Sequence, residues 1–276
     1  MARNPEAPGV MAGLQNLQGK RLEGTMRRWL NPAGALGLLI ISFAVPAQAA
    51  EITVLAGMGV ISGVSDLAPA YEKLTGHSVV VRFEQAAAMN EKINSGVPAD
   101  IAALQPEQVD NFIKQGKMVA GTKTNFAQAG VGVAVKTGAS RPDISTVDAF
   151  KNAMINAKSI GYSQGGSGII AAKVMEKLGI ADQLKAKTKF INGLPVAEVV
   201  AKGDVEIGLQ QINVIIPVEG ADYIGPLPKE LQDTVRFAAG VLTVSKQKEL
   251  ARAFLNFIAS ADAGPLLRRS AMEPWH

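Results

Sequence analysis

Residues 162–169 read YSQGGSGI, a serine- and glycine-rich stretch between an apolar run that reads as a strand and one that reads as a helix. A glycine-rich turn at a helix start presents backbone N–H groups and the positive end of the helix dipole, which together can hold an anion. Ser163 and Ser167 add hydroxyl donors, Gln164 adds an amide, and Gly165 and Gly166 let a ligand approach the backbone closely. No Lys-Ser or Lys-Thr pair follows the glycines, and their spacing is not GxGxxG, so the stretch is neither a P-loop nor a dinucleotide fingerprint. A tight turn with a helix N-cap and no ligand is the structural alternative.

Other strand-like runs end in groups that could join it. Gly57, Met58 and Gly59 give a close backbone approach without a hydroxyl, or simply a turn. Glu84 and Gln85 end a second run, and Arg82 just before them can pair with a ligand carboxylate or with Glu84. Gln210, Gln211 and Asn213 follow a further apolar run, and amides in that place either contact a ligand or cap a helix. Catalytic patterns are sparse. The two histidines are His77, beside a helix-ending glycine, and His276, the last residue; neither HExxH nor GxSxG occurs.

These groups need elements to position them. Strand-like runs at 52–55, 78–83 and 100–104 alternate with helix-like runs that end near Gly76, Gly96 and Gly116. A second series has helices at 147–157, 169–177 and 197–202 and strands at 159–162, 187–191 and 206–209, and an amphipathic helix closes the chain at 246–258. Alternation of this kind predicts an α/β fold with mostly parallel sheets covered by helices, the ligand sitting at the carboxyl ends of the strands. Residues 130–135 and 236–244 are the two strands expected to cross between two lobes. The first lobe is expected over 50–129 and 240–276 and the second over 130–239. The proline- and glycine-containing stretches 225–228 and 138–142 read as surface turns.

Net charge is +4, but residues 1–49 carry five basic residues (Arg3, Lys20, Arg21, Arg27, Arg28) against two acidic ones (Glu6, Glu23). The remainder is close to neutral and has no basic stripe with interleaved aromatics, so no nucleic-acid partner is expected. Met26-Arg27-Arg28, an apolar run over 33–45 and Pro46-Ala47-Gln48-Ala49 have the order of a signal peptide cut after Ala49, with 1–25 lying ahead of Met26. The apolar run is shorter than the roughly 20 residues of a membrane-spanning helix. The chain has no cysteine, which excludes disulfides, thiolate metal sites and cysteine nucleophiles.

The phrases PADIAAL, ISTVDAFK, AKSIGYS, EKLGIAD, PVAEVVAKGDVEIGLQQ and AAGVLTVSK run through the chain after Ala49. Together with the leader and the two α/β units, they resemble bacterial extracellular solute-binding proteins of the type II periplasmic fold, in the branch related to molybdate-binding proteins of ABC transporters. The resemblance implies a hinged two-lobe clamp in the periplasm, acting as a monomer without cofactor, that closes on a small anion and presents it to a membrane permease. In such a clamp the strand-end groups expected to touch the ligand are Met58, Gly59, Arg82, Gln85, Ser163, Gly165, Gly166, Ser167 and Gln211. Molybdate binders of this branch carry hydroxyls after the first two strands, where this chain has Ala56-Gly57-Met58-Gly59 and Gln85-Ala86-Ala87-Ala88; of the small anions, organic acid or oxyanion, an organic acid is therefore expected first, with molybdate binding proper as an alternative. Relatives of the branch include a periplasmic aconitate isomerase, the alternative reading, for which Glu84 or Tyr162 would be the base. N-terminal sequencing of the exported protein is expected to begin at Ala50, and an exported chain that still starts at Met1 would contradict the leader.

Overall fold

The computed structural model describes residues 49–276; the leader up to residue 48 lies outside the described residues. The chain begins with β1 (Glu51–Gly57), a single 3-10 turn (Met58–Val60) and α1 (Ile61–Thr75), then β2 (Ser78–Glu84), α2 (Ala86–Ser95), β3 (Ile101–Leu104) and α3 (Pro106–Lys114). Gly76 and Gly96 end α1 and α2 at φ of 74° and 71°, a left-handed conformation that glycine adopts without strain. The long β4 (Thr124–Lys136) follows, then α4 (Val147–Asn156), β5 (Ile160–Ser163), α5 (Gly166–Lys177), α6 (Ala181–Leu184), β6 (Thr188–Ile191), α7 (Val196–Lys202), β7 (Ile207–Gln211) and α8 (Ile212–Ile215). The chain closes with β8 (Ala221–Pro226), β9 (Thr234–Val241), α9 (Lys248–Ile258), α10 (Ala263–Arg269) and β10 (Glu273–Pro274).

The strands lie in the order β2-β1-β3-β9-β4-β7-β5-β6, with β8 and β10 also paired to β4. Direction decides what this order can build. β2 and β3 run parallel to β1, and β9 runs antiparallel to both β3 and β4. β4 therefore points the same way as β1, β2 and β3. Its second half pairs antiparallel with β7, which is parallel to β5, and β5 is parallel to β6. So β5, β6 and β7 run against β4. The two parallel sets thus aim their carboxyl ends at one another, across the point where β4 passes from one set to the other.

Of the two strands expected to cross, β4 does so: residues 124–130 pair with β9 and residues 131–136 with β7 or β8. The expected strand 236–244 is β9, shifted toward the N-terminus, and all its pairings are to β3 and the first half of β4. The chain returns between the halves earlier, through residues 227–233, whose Leu227 and Leu231 are buried. Residues 225–226, expected as part of a surface turn, end β8 instead, because β4 offers them an antiparallel partner at Gly132 and Val133.

Helices cover the sheet with their apolar faces. Ala251, Phe254, Leu255 and Ile258 of α9 are buried, and the Phe254 ring meets Tyr71 of α1 edge-on at 5.1 Å. Phe126, Phe150 and Phe254 are fully enclosed, each burial stabilising by roughly 1.5–3 kcal/mol.

Val131 stands where the ladder changes hands, between the pairs Gly130–Thr234 and Gly132–Pro226. The Gln232 carboxamide fills the gap like a strand partner: Val131 N donates to its Oε1 at 3.0 Å and its Nε2 donates to Val131 O at 2.9 Å. Gln232→Ala removes both bonds and is expected to lower stability by about 1–3 kcal/mol, read as a fall in the urea midpoint; an unchanged midpoint would show that the clasp is dispensable.

Candidate ligand cleft

The facing strand ends enclose a cleft of about 340 Å³. Its walls come from the segments just after strands: Met58 and Gly59 after β1, Glu84 and Gln85 at the end of β2, Gln105 after β3, Ser163 to Ser167 after β5, Asn192 to Leu194 after β6, and Gln210 and Gln211 ending β7. Val235 and Phe237 of β9 also line it. Three helical starts meet there without a side-chain cap: the turn at Met58, α2 at Ala86 and α5 at Gly166. Uncapped first turns leave backbone N–H groups to a ligand and supply positive partial charge.

The glycines of 162–169 have separate steric reasons. A Cβ on Gly168 would stand 1.6 Å from the Ser163 carbonyl oxygen, so the helix can start so close to β5 only with glycine there. A Cβ on Gly166 would stand 2.6 Å from Gln105 Nε2 and 2.7 Å from Val235 Cγ1, filling the approach to the helix start. Ser163 Oγ accepts from Gly165 N at 3.2 Å and shapes the turn.

The walls are neutral. Glu84 is the one titratable group among the lining residues, and its carboxylate is paired with Lys92 on α2 rather than with Arg82. Among the described residues no lysine or arginine lines the cleft; its donors are backbone N–H groups, two serines and a set of amides, facing an apolar surface of Met58, Met89, Leu104, Leu194, Val235 and Phe237.

Of the residues singled out from the sequence, Met58, Gly59, Glu84, Gln85, Ser163, Gly165, Gly166, Ser167 and Gln211 come together in the cleft. Arg82 does not line it and is exposed. Tyr162 also stays outside, buried and packed edge-on against Phe190 at 5.4 Å. Burial pushes its phenol up, with the charge of Glu176 adding to the effect, so it holds its proton at neutral pH. Gln105, Gln108 and Asn192 line the cleft without having been singled out. Gln105 and Asn192 stand directly after β3 and β6, the same position relative to a strand that marked the others.

The three amides after the apolar run at 206–209 divide their work. Gln210 Oε1 accepts from Ala197 N at 3.1 Å and fastens the start of α7. Asn213 Nδ2 donates to Gly59 O and to Ser62 Oγ, both at 3.0 Å, and ties α8 to the turn after β1. Gln211 is 8% exposed and its Nε2 has no partner. A bond crosses the cleft mouth, from Gln85 Nε2 to Gly193 O at 2.9 Å.

The chain is similar to several known proteins over most of its length. Aconitate isomerase from a Pseudomonas species is 30% identical over 257 residues, covering 88% of this chain and 96% of that protein. Molybdate-binding protein ModA of Azotobacter vinelandii is 27% identical over 248 residues, covering 85% and 93%. The solved structure of the Azotobacter vinelandii periplasmic molybdate-binding protein superposes with a TM-score of 0.67 at 18% identity, covering 80% of this chain and 98% of that one; the fold is that of the type II periplasmic binding proteins. Residues 52–273 match the profile of the bacterial extracellular solute-binding protein family. With strand ends facing across a neutral cleft and a family match over nearly all the described residues, the chain belongs to the bacterial extracellular solute-binding proteins.

Proposed function

We propose that this protein captures a small organic acid in the cleft and presents it to the membrane permease of an ABC-type transporter. The protein works in the periplasm as a monomer, after removal of the leader at Ala49. Its two lobes are residues 50–130 with 234–276, and residues 131–233. This division moves the first boundary from 129/130 to 130/131 and the second from 239/240 to 233/234, following the pairing of β9 with β3 and the first half of β4. Met58, Gly59, Gln85, Ser163, Gly165, Gly166, Ser167 and Gln211 hold the ligand; Arg82 has no part, being exposed and away from the lining.

The observation that carries this reading is the pairing of uncapped helix starts with an apolar wall in one space of about 340 Å³. N–H groups and hydroxyls replace water around carboxylate oxygens, while Met58, Leu104 and Phe237 cover a carbon skeleton. A tetrahedral oxyanion has no skeleton for that wall to cover and is much smaller than the cleft. The apolar surface therefore favours an organic acid over molybdate.

Thermal unfolding in the presence of millimolar di- and tricarboxylates is expected to shift upward, by more than with molybdate or sulfate. A transition moved by none of the acids would overturn the reading. Neutral donors also make affinity insensitive to pH between about 7 and 9, where polycarboxylates are fully ionised and the cleft offers no histidine or lysine to titrate; a steep change in that window would implicate a charged partner.

A second reading follows from the 30% identity to an aconitate isomerase: proton transfer on an unsaturated acid held in the same cleft. Glu84 is the base in this reading, since Tyr162 lies outside the cleft, and it must share or break its pair with Lys92 to take a proton. Conversion of trans- to cis-aconitate, abolished in Glu84→Gln with binding retained, is the result this reading requires. Binding without turnover leaves capture as the function.

A further inference from the structure

Gln211 is placed where a side chain with no partner has a cost and no local benefit. It ends β7, is 8% exposed and lines the cleft. Its Nε2 is buried without an acceptor, whereas the adjacent Gln210 is bonded to Ala197 N; Asn213 gives its Nδ2 to Gly59 O but leaves its own Oδ1 unmatched, and unlike Gln211 it does not line the cleft. Native interiors rarely leave such a donor unmatched. Gly59 lets the carboxamide sit this close: a Cβ there would stand 2.8 Å from Gln211 Nε2 and 2.7 Å from Phe237 Cζ.

We propose that Gln211 is the specificity-determining donor of the cleft, giving its Nε2 hydrogen to an oxygen of the ligand remote from the one held at the start of α5. The inference rests on the acid-binding reading above and names the class of acid. Val235 and Phe237 lie on one face of β9, roughly 7 Å apart along the strand. Gly166, at the start of α5, closes on Val235, and Gly59 with Gln211 closes on Phe237. The cleft therefore has two oxygen-holding ends over a common apolar floor. A molecule whose oxygens all surround one central atom reaches only one end. A short-chain acid with a second carboxylate or a carbonyl at its far end reaches both, its carbon chain lying over Val235 and Phe237. The ligand matches the neutral donors with acceptors at each end and carries no cationic group toward Gln211.

Gln211→Met keeps the side-chain volume and removes the donor; Gln211→Glu replaces the donor with a carboxylate. Each variant and the parent protein are titrated calorimetrically with succinate, glutarate and trans-aconitate, and with butyrate as the one-ended control, and each is melted without ligand. The parent is expected to bind at least one of the polycarboxylates ten-fold or more tightly than butyrate. In Gln211→Met that advantage collapses, while the unliganded protein melts at the same temperature or higher, because an unmatched buried donor has been removed. Gln211→Glu abolishes polycarboxylate binding at pH 7. A purely structural glutamine gives the opposite pattern: a lower melting temperature in Gln211→Met with the advantage intact, which overturns the proposal. Butyrate binding as tightly as the polycarboxylates in the parent overturns the two-ended site and leaves the acid-binding reading standing. Failure of all four acids to bind the parent removes that reading, and this inference with it.

Discussion

Every functional group in this protein depends on the direction in which β4 is paired. The strand runs with β1, β2 and β3 in its first half and against β5, β6 and β7 in its second. Two parallel sets laid along one strand in opposite senses must present their carboxyl ends to each other. Loops and helix starts after those strands then have one place to go, the crevice between them. The chemistry of the site follows from that placement, because helix starts bring N–H groups with no partner in the helix. A strand running the other way at β7 would send Ser163, Ser167 and Gln211 to the opposite end of the sheet.

A neutral cleft has consequences for both binding and release. Holding an anion with dipoles and amides avoids burying a lysine or arginine, whose desolvation when the cleft is empty would be expensive. The halves already touch through Gln85 to Gly193 and through Asn213 to Gly59 and Ser62. Contacts of this kind exclude water from the cleft and strengthen the hydrogen bonds inside it. Of these, the Gln85 bond lies at the exposed mouth, whereas Asn213 is buried. Gln232 has a different part: its two bonds to Val131 keep the ladder continuous where β4 changes partners. A shared strand that stays paired on both sides can bend there without tearing.

Much of this was legible in the sequence, for reasons that also mark where reading stops. Parallel strands buried on both faces are continuous apolar runs, and helix-ending glycines punctuate them, so β1 to β3 and β5 to β7 could be placed within a few residues. β8 was not legible: its sequence ADYIGP ends in a glycine and a proline, which read as a turn until β4 supplies a partner. Short α8 and α10 lack the length for a periodic signal. The position after a strand identified most of the cleft, and applied without exception it would also have found Gln105 and Asn192. What an amide does at such a position was not legible. Gln210 and Gln211 are adjacent and alike and both line the cleft, yet Gln210 is bonded to Ala197 N of α7 while Gln211 Nε2 has no partner. The ion pair of Glu84 was equally hidden, since Lys92 lies eight residues away across α2 whereas Arg82 is closer in sequence.

The central claim is that backbone N–H groups at the facing strand ends hold the ligand's oxygens. Amide chemical-shift mapping of the nitrogen-15-labelled protein, titrated with a polycarboxylate that stabilises it, tests this directly. The account predicts that the largest changes fall on the amides of Gly59, Ala87, Gly166 and Ser167 and on the side-chain amide of Gln211. Changes centred on another surface, with these amides unmoved at saturation, would contradict it.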